Sequence, residues 1–265
     1  MHIAGYIASV LIGLSLGLIG GGGSILTVPV LVYLMGVDAA IATTYSLFVV
    51  GATSVVGSVS YFKKGTVNLK TAMVFGLPSI ASVFLTRRFI VPAIPLHVVE
   101  VGGFVVTKSI LLMLLFAVLM IFASYSMIKK SKTTTDAEPV YNGKDNVRIA
   151  LQGLFVGMVT GLVGAGGGFL IIPALVNLLK VPMKTAVGTS LVIIAINSLM
   201  GFLFSLGHTA IQWQLLLTVT LIAIGGILVG SYLSTKIDGK KLKPTFGWFV
   251  LVMGIYIIAK ETLLK

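Results

Sequence analysis

Eight runs of apolar residues, at roughly 3–36, 39–62, 67–86, 101–128, 149–179, 184–207, 213–235 and 244–260, take up most of this 265-residue sequence. A helix of about 20 such residues crosses a hydrocarbon core of about 30 Å. Water cannot be the solvent of such a chain: 57% of its residues are hydrophobic and 10% charged, against about a quarter charged in an ordinary soluble domain. Inside lipid every backbone N–H and C=O needs a partner within the protein, which leaves helices or closed barrels. Barrel strands are about ten residues of alternating polarity, and these runs do not alternate. The sequence therefore predicts an all-α, multi-pass protein of the cell membrane with eight membrane segments and the lipid bilayer as its first partner.

The net charge of +12 would suggest nucleic acid in a soluble protein. Here the lysines and arginines lie between the apolar runs, as membrane-surface anchors do, and no basic face interleaved with aromatics appears, so a nucleic-acid role is excluded. Cysteine is absent, which excludes disulfides, and no spacing calls for a metal or a cofactor. The opening MHIAGYIASVLIGLSLGLIG has no basic residue ahead of its apolar run and outlasts a signal peptide, so a retained membrane segment is expected.

Two stretches interrupt the apolar pattern. Lys129–Arg148 is rich in charge and threonine and reads as a linker between the units 1–128 and 149–265. Thr86–Gly103, with two prolines, two arginines, a histidine and a glutamate, reads as an interfacial loop. Residues 13–57 also align with 157–201 without a gap, pairing Gly13/Gly157, Gly17/Gly161, Gly20/Gly164, Gly22/Gly166, Gly23/Gly167, Pro29/Pro173, Ser46/Ser190, Ser54/Ser198 and Gly57/Gly201. Glycines and a proline in one register point to a duplicated unit of four segments. Basic residues divide almost evenly between the two sides, so orientation stays open, as does the choice between parallel and inverted repeats.

The first segment of each unit carries GLIGGGGSILTVP (Gly17–Pro29) or GLVGAGGGFLIIP (Gly161–Pro173). A straight helix over such a run would measure roughly 48 Å, well beyond the hydrocarbon core. Glycines weaken a helix by about 1 kcal/mol each and proline removes a donor, so the run is expected to break into two half-helices. Broken helices in matching positions of two repeats expose backbone N–H groups inside a transporter and mark its binding site. That makes Gly20, Gly21, Gly22, Gly23 and Ser24, with Gly164, Gly166, Gly167 and Gly168, candidate ligands of an anion. The alternative is close helix packing, because Gly13/Gly17 and Gly157/Gly161 also have small-xxx-small spacing. Neither run has the Lys-Ser/Thr of a P-loop or the G-x-G-x-x-G of a dinucleotide fold.

The next segments open with ATTYSLFVVGATSVVG (Ala42–Gly57) and AVGTSLVIIAINSLMG (Ala186–Gly201). Positions seven apart share a helix face, which aligns Ser46 with Thr53 and Ser190 with Asn197. With Thr44 and Thr189 these donors either complete an anion site or bond between helices. Lys108, near the start of a segment, either snorkels to the interface or serves the substrate. His97, His208 and Glu100 read as interfacial, and Trp213, Trp248, Tyr61 and Tyr256 as an aromatic belt. Carboxylates are missing from the spans. Proton-coupled carriers usually need one in their path, whereas an anion leaving a negative interior gains roughly 2.3 kcal/mol per charge per 100 mV.

The two glycine runs and the AVGTSL that follows the second resemble the TauE/SafE family of sulfite and sulfoacetate exporters, also called the 4-toluene sulfonate uptake permeases, over nearly the whole chain. The family signature matches Gly17, Gly20, Gly22, Gly23 and Pro29, then Gly161, Gly164, Gly166, Gly167 and Pro173, then Gly188–Leu191. In the first half, Thr44-Tyr45-Ser46-Leu47 departs from it by placing Tyr45 at a position usually small or threonine. The resemblance implies duplicated four-helix halves and a carrier of sulfur-containing or organic anions such as sulfite or a sulfonate, working outward. A passive anion channel and a membrane-embedded enzyme are the alternatives, though no nucleophile, acid–base pair or metal cluster is visible. Oligomeric state is not readable.

Overall fold

A computed structural model describes residues 2–101, 104–128, 143–178, 181, 183–206, 211–234 and 239–263. The molecule is an all-α polytopic membrane protein. Six helices are long and apolar enough to cross a membrane among the described residues: Ala39–Lys63, Leu69–Ala93, Lys108–Tyr125, Asn146–Val163, Thr185–Ser205 and Trp213–Leu233. The first expected run is divided between the shorter apolar helices Ala4–Ile19 and Gly23–Leu34.

Helix α1 (His2–Ile19) gives way to a 3₁₀ segment (Gly20–Leu26), a single turn α2 (Thr27–Pro29) and a π turn (Val30–Leu34). Asp38 caps α3 (Ala39–Lys63), its Oδ1 accepting from the backbone N–H of Ala40 at 2.9 Å and Ile41 at 3.4 Å. Asn68 caps α4 (Leu69–Leu85) in the same way, accepting from Thr71 N–H at 3.0 Å. The helix then runs on through a π turn (Thr86–Ile90) into α5 (Val91–Ala93).

The interfacial loop expected at Thr86–Gly103 is therefore corrected. Its first part is helix and belongs to the span Leu69–Ala93. Pro92 comes only at the end of this helix, beyond the π turn, and the helix stops one residue later at Ala93, so the proline does not interrupt the part that carries Arg87. A small antiparallel hairpin follows, β1 (His97–Val101) on β2 (Phe104–Thr107), and helix α6 (Lys108–Ile128) begins only at Lys108, seven residues later than the apolar run suggests. His97 and Glu100 lie exposed on β1, while His208 falls outside the described residues.

In the second half α7 (Gly143–Val163) starts inside the stretch read as linker, whose residues 129–142 lie outside the description. Then come a turn, α8 (Gly168–Pro173), a π turn (Ala174–Leu178), α9 (Met183–Ser205), α10 (Trp213–Leu233) and α11 (Gly239–Leu263).

Burial sorts the helices. Within the apolar windows of α3 and α9, 67% and 72% of residues are buried, against 39–44% in the other four candidate spans. So α3 and α9 form the centre, and the outer helices turn side chains such as Leu77, Phe122, Leu151 and Leu221 outward, as a lipid-facing surface requires. Helix pairing crosses between the sequence halves at glycines that let backbones touch: Gly13 of α1 lies on Ala223 of α10, and Gly157 of α7 on Ser79 of α4. In the centre, Gly57 faces Leu191 and Gly201 faces Leu47. The partners in each of these pairs are separated by the same offset that relates the glycines themselves.

Candidate functional site

Both glycine runs interrupt their helices, in different ways. At the first, α1 ends at Ile19, Gly20 takes φ +73°, and the chain tightens into the 3₁₀ segment that holds Gly21, Gly22, Gly23 and Ser24. At the second, Gly164, Gly166 and Gly167 have φ of +73°, +67° and +67° between the end of α7 and the start of α8. Three left-handed residues within four positions are open to glycine at little cost and to other residues at about 1–2 kcal/mol each. The two interruptions meet in the buried interior: a Cβ on Gly21 would overlap the backbone of Gly168, with Gly168 C at 2.8 Å, and a Cβ on Gly168 would stand 2.7 Å from Gly21 C. Glycine is required here by close approach.

The candidate side chains divide by their hydrogen bonds. Thr53 Oγ1 donates to the carbonyls of Val49 (2.5 Å) and Val50 (3.1 Å), Ser190 Oγ to Val187 O (2.8 Å) and Ser24 Oγ to Gly21 O (2.8 Å). These hydroxyls are taken up by their own helices, as serine and threonine do in membranes. Thr189 Oγ1 accepts the backbone N–H of Asn68 at 2.9 Å. Ser46 Oγ, fully buried, has no partner among the described residues, and neither does Oδ1 of Asn197, whose Nδ2 donates to Ser79 Oγ at 2.6 Å. The stripe expected from seven-residue spacing is thus not one continuous row of donors. Tyr45 is buried in the apolar cluster that also holds Leu31, Phe202 and Leu216, and its hydroxyl accepts Gln212 N–H.

Sequence reasoning missed part of this interior. Ser54, Ser198 and Thr160 also bury hydroxyls without partners among the described residues, and the last two face the second break, Ser198 Oγ lying 2.8 Å from a Cβ on Gly166 and Thr160 crowding Gly167. Thr43 lies against Gly164. Arg87, placed in the supposed loop, is 3% exposed inside the span Leu69–Ala93. Its Nη1 donates to Thr43 Oγ1 (3.2 Å) and Thr44 Oγ1 (3.4 Å), its Nη2 to Thr43 O (3.5 Å), and Nε has no partner among the described residues. A signal for it exists in the sequence, since Phe75, Ser79, Val83 and Arg87 follow one another at helical spacing as one buried stripe. Lys108, half-buried at the start of α6, turns its Nζ back to Val91 O.

Residues 6–257 match the family described as sulfite exporter TauE/SafE. A probable membrane transporter protein of Xylella fastidiosa (strain 9a5c) is 30% identical over 94% of this chain and 91% of its own. YunE, a probable membrane transporter protein of Bacillus subtilis (strain 168), is 28% identical over 96% of this chain and 97% of its own, and a probable membrane transporter protein of Methanocaldococcus jannaschii is 25% identical over 95% and 93%. No solved structure matches the chain. Apolar helices that cross a membrane, two glycine breaks that meet in the interior and likeness along nearly the whole length agree: this chain belongs to the sulfite exporter TauE/SafE family of membrane transporters.

Proposed function

We propose that the protein carries a small oxygen-bearing anion, of the sulfite or sulfonate kind, outward across the cell membrane, and that the anion binds where the two glycine breaks meet. One observation carries this reading: among the described residues, buried hydroxyls without partners face backbone that glycine alone can arrange, Ser198 at Gly166 and Thr160 at Gly167. A buried polar group left unpaired costs about 1–3 kcal/mol, so two at one break are best accounted for by a ligand that pairs them. Hydroxyls and backbone N–H groups are hydrogen-bond donors, which suits an anion. The recurrence of glycine contacts at one offset, Gly13/Gly157 on Ala223/Ser79 and Gly57/Gly201 on Leu191/Leu47, supports two duplicated units of four segments around this site.

Outward movement follows from voltage. An anion expelled from a negative interior gains roughly 2.3 kcal/mol per charge per 100 mV, and this needs no titratable group in the path. The experiment is efflux of radiolabelled sulfite from proteoliposomes holding the purified protein, under an imposed inside-negative potential or an imposed pH gradient. Efflux should rise with the potential and ignore the gradient. Flux driven by the pH gradient alone would reject the mechanism, and single-channel currents far above carrier turnover would make the protein a channel.

A further inference from the structure

We infer that Arg87 supplies the positive charge of a one-sided oxyanion site at the second glycine break, with Thr44 as its hydroxyl donor, and that the first break has no such site. This rests on the reading that the chain carries a small anion. A guanidinium buried inside a membrane span is costly unless something neutralises it. Arg87 is 3% exposed and forms no ion pair among the described residues, its recorded partners being the hydroxyls of Thr43 and Thr44 and the carbonyl of Thr43. Those bonds leave Nε–H and one Nη2 hydrogen unused. Two neighbouring N–H groups on a planar guanidinium match two oxygens of one sulfonate, sulfite or carboxylate group. The hydroxyls complete the arrangement unequally: Thr43 Oγ1 already donates to Ala40 O at 2.8 Å, whereas Thr44 Oγ1 only accepts from Arg87, so its hydrogen is available to an anion.

The location follows from Thr43. A Cβ on Gly164 would meet the Thr43 carbonyl and lie 2.6 Å from its Cα, which puts the Arg87–Thr43–Thr44 group directly on the second break. The corresponding surroundings of the first break are different. The register that pairs Gly20 with Gly164 pairs Thr43, Thr44 and Arg87 with Val187, Gly188 and Ser231. Gly20 accordingly faces carbon, with Val187 Cγ1 at 2.9 Å and Ile172 Cδ1 at 3.2 Å from its Cβ position. Gly164 of the second break stands against threonine beside a cation and its counterpart Gly20 against aliphatic side chains, so at this matched position the two glycine runs are alike in sequence and unlike in chemistry, although a hydroxyl, Ser15 Oγ, does lie against Gly23 of the first. A single cation fits one singly charged oxyanion at a time.

The test uses the purified full-length chain in detergent, with thermal stabilisation by methanesulfonate, sulfite and bromide as the binding readout and sulfite efflux from proteoliposomes beside it. For the unaltered protein, methanesulfonate and sulfite should stabilise at lower concentration than bromide. Arg87→Lys keeps the charge and removes the fork, so methanesulfonate affinity should fall at least tenfold and the preference over bromide should vanish. Thr44→Val should weaken methanesulfonate binding severalfold, whereas Ser231→Ala, at the corresponding place beside the first break, should leave it unchanged. Arg87→Gln should abolish stabilisation by all three; if it fails to fold, the lysine and Thr44 variants still decide. An Arg87→Lys protein with unaltered affinity and unaltered preference, or a Ser231→Ala loss equal to that of Thr44→Val, overturns the proposal while leaving the anion reading intact. If the unaltered protein is neither stabilised by these anions nor moves sulfite, the anion reading itself falls.

Discussion

Gly21→Ala puts the meeting of the two breaks to the most direct test. The added methyl would overlap Gly168 Cα and Ile194 Cδ1 and stand 2.8 Å from Gly168 C, where ordinary contact begins at 3.4 Å. Ile194 has a flexible end that can yield, but the Gly168 backbone cannot without moving α8, so the two segments must part by upward of half an ångström. Forcing an extra carbon into a packed interior costs about 1–3 kcal/mol. On the scale of domains of 150–250 residues, where 1 kcal/mol shifts Tm by about 2–4 °C, that is a fall of roughly 2–12 °C. Gly168→Ala strains the same contact from the other side, its Cβ lying 2.7 Å from Gly21 C. The double variant should therefore cost less than the sum of the single ones, because the first separation has already relieved part of the second overlap. Gly225→Ala, on the exposed face of α10 with nothing within 4 Å of its Cβ position, is the control, and should raise stability by up to about 1 kcal/mol through helix propensity. The assay is thermal unfolding in detergent, read with sulfite efflux from proteoliposomes. Gly21→Ala and Gly168→Ala proteins as stable and as active as the Gly225→Ala control, or strictly additive costs, would refute the contact.

Two further substitutions separate binding from folding. Ser46→Ala deletes a fully buried hydroxyl without a partner among the described residues, so stability should stay level or rise, while sulfite efflux at limiting substrate should fall if that hydroxyl serves the anion; an unchanged rate removes Ser46 from the site. Asn197→Ala breaks the 2.6 Å bond to Ser79, and a double-mutant cycle with Ser79→Ala should return a coupling of about 0.6–1.7 kcal/mol in thermal or denaturant unfolding, the range of interhelical bonds in membranes. A coupling near zero would mean that the bond contributes nothing to holding α9 on α4.

Where the site was legible in the sequence, local physics made it so. The glycine runs announce breaks because φ near +70° is a property of one residue and its backbone, and Gly20, Gly164, Gly166 and Gly167 all adopt it. Hydroxyl function was not legible. Ser46 and Ser190 occupy corresponding positions, yet Ser190 donates to its own helix while Ser46 has no partner among the described residues. Arg87 misled for a related reason: two prolines and two arginines look like a loop, but both prolines come after Arg87, at and beyond the end of the helix, and the helix carries the arginine inward along the stripe from Phe75.

Residence in lipid, helical structure and the breaks at the two glycine runs were determined by the sequence alone, because they depend on run length, backbone satisfaction and the conformational freedom of single residues. Which breaks touch, and what surrounds each, was decided only by the tertiary structure. Gly21 reaches Gly168 and Arg87 reaches Thr43 across long separations in the chain, and those contacts depend on how α3, α4 and α9 pack rather than on any local preference. The same packing places aliphatic carbon against Gly20 and threonine beside a buried arginine against Gly164, so two glycine runs that match in sequence end in unlike surroundings.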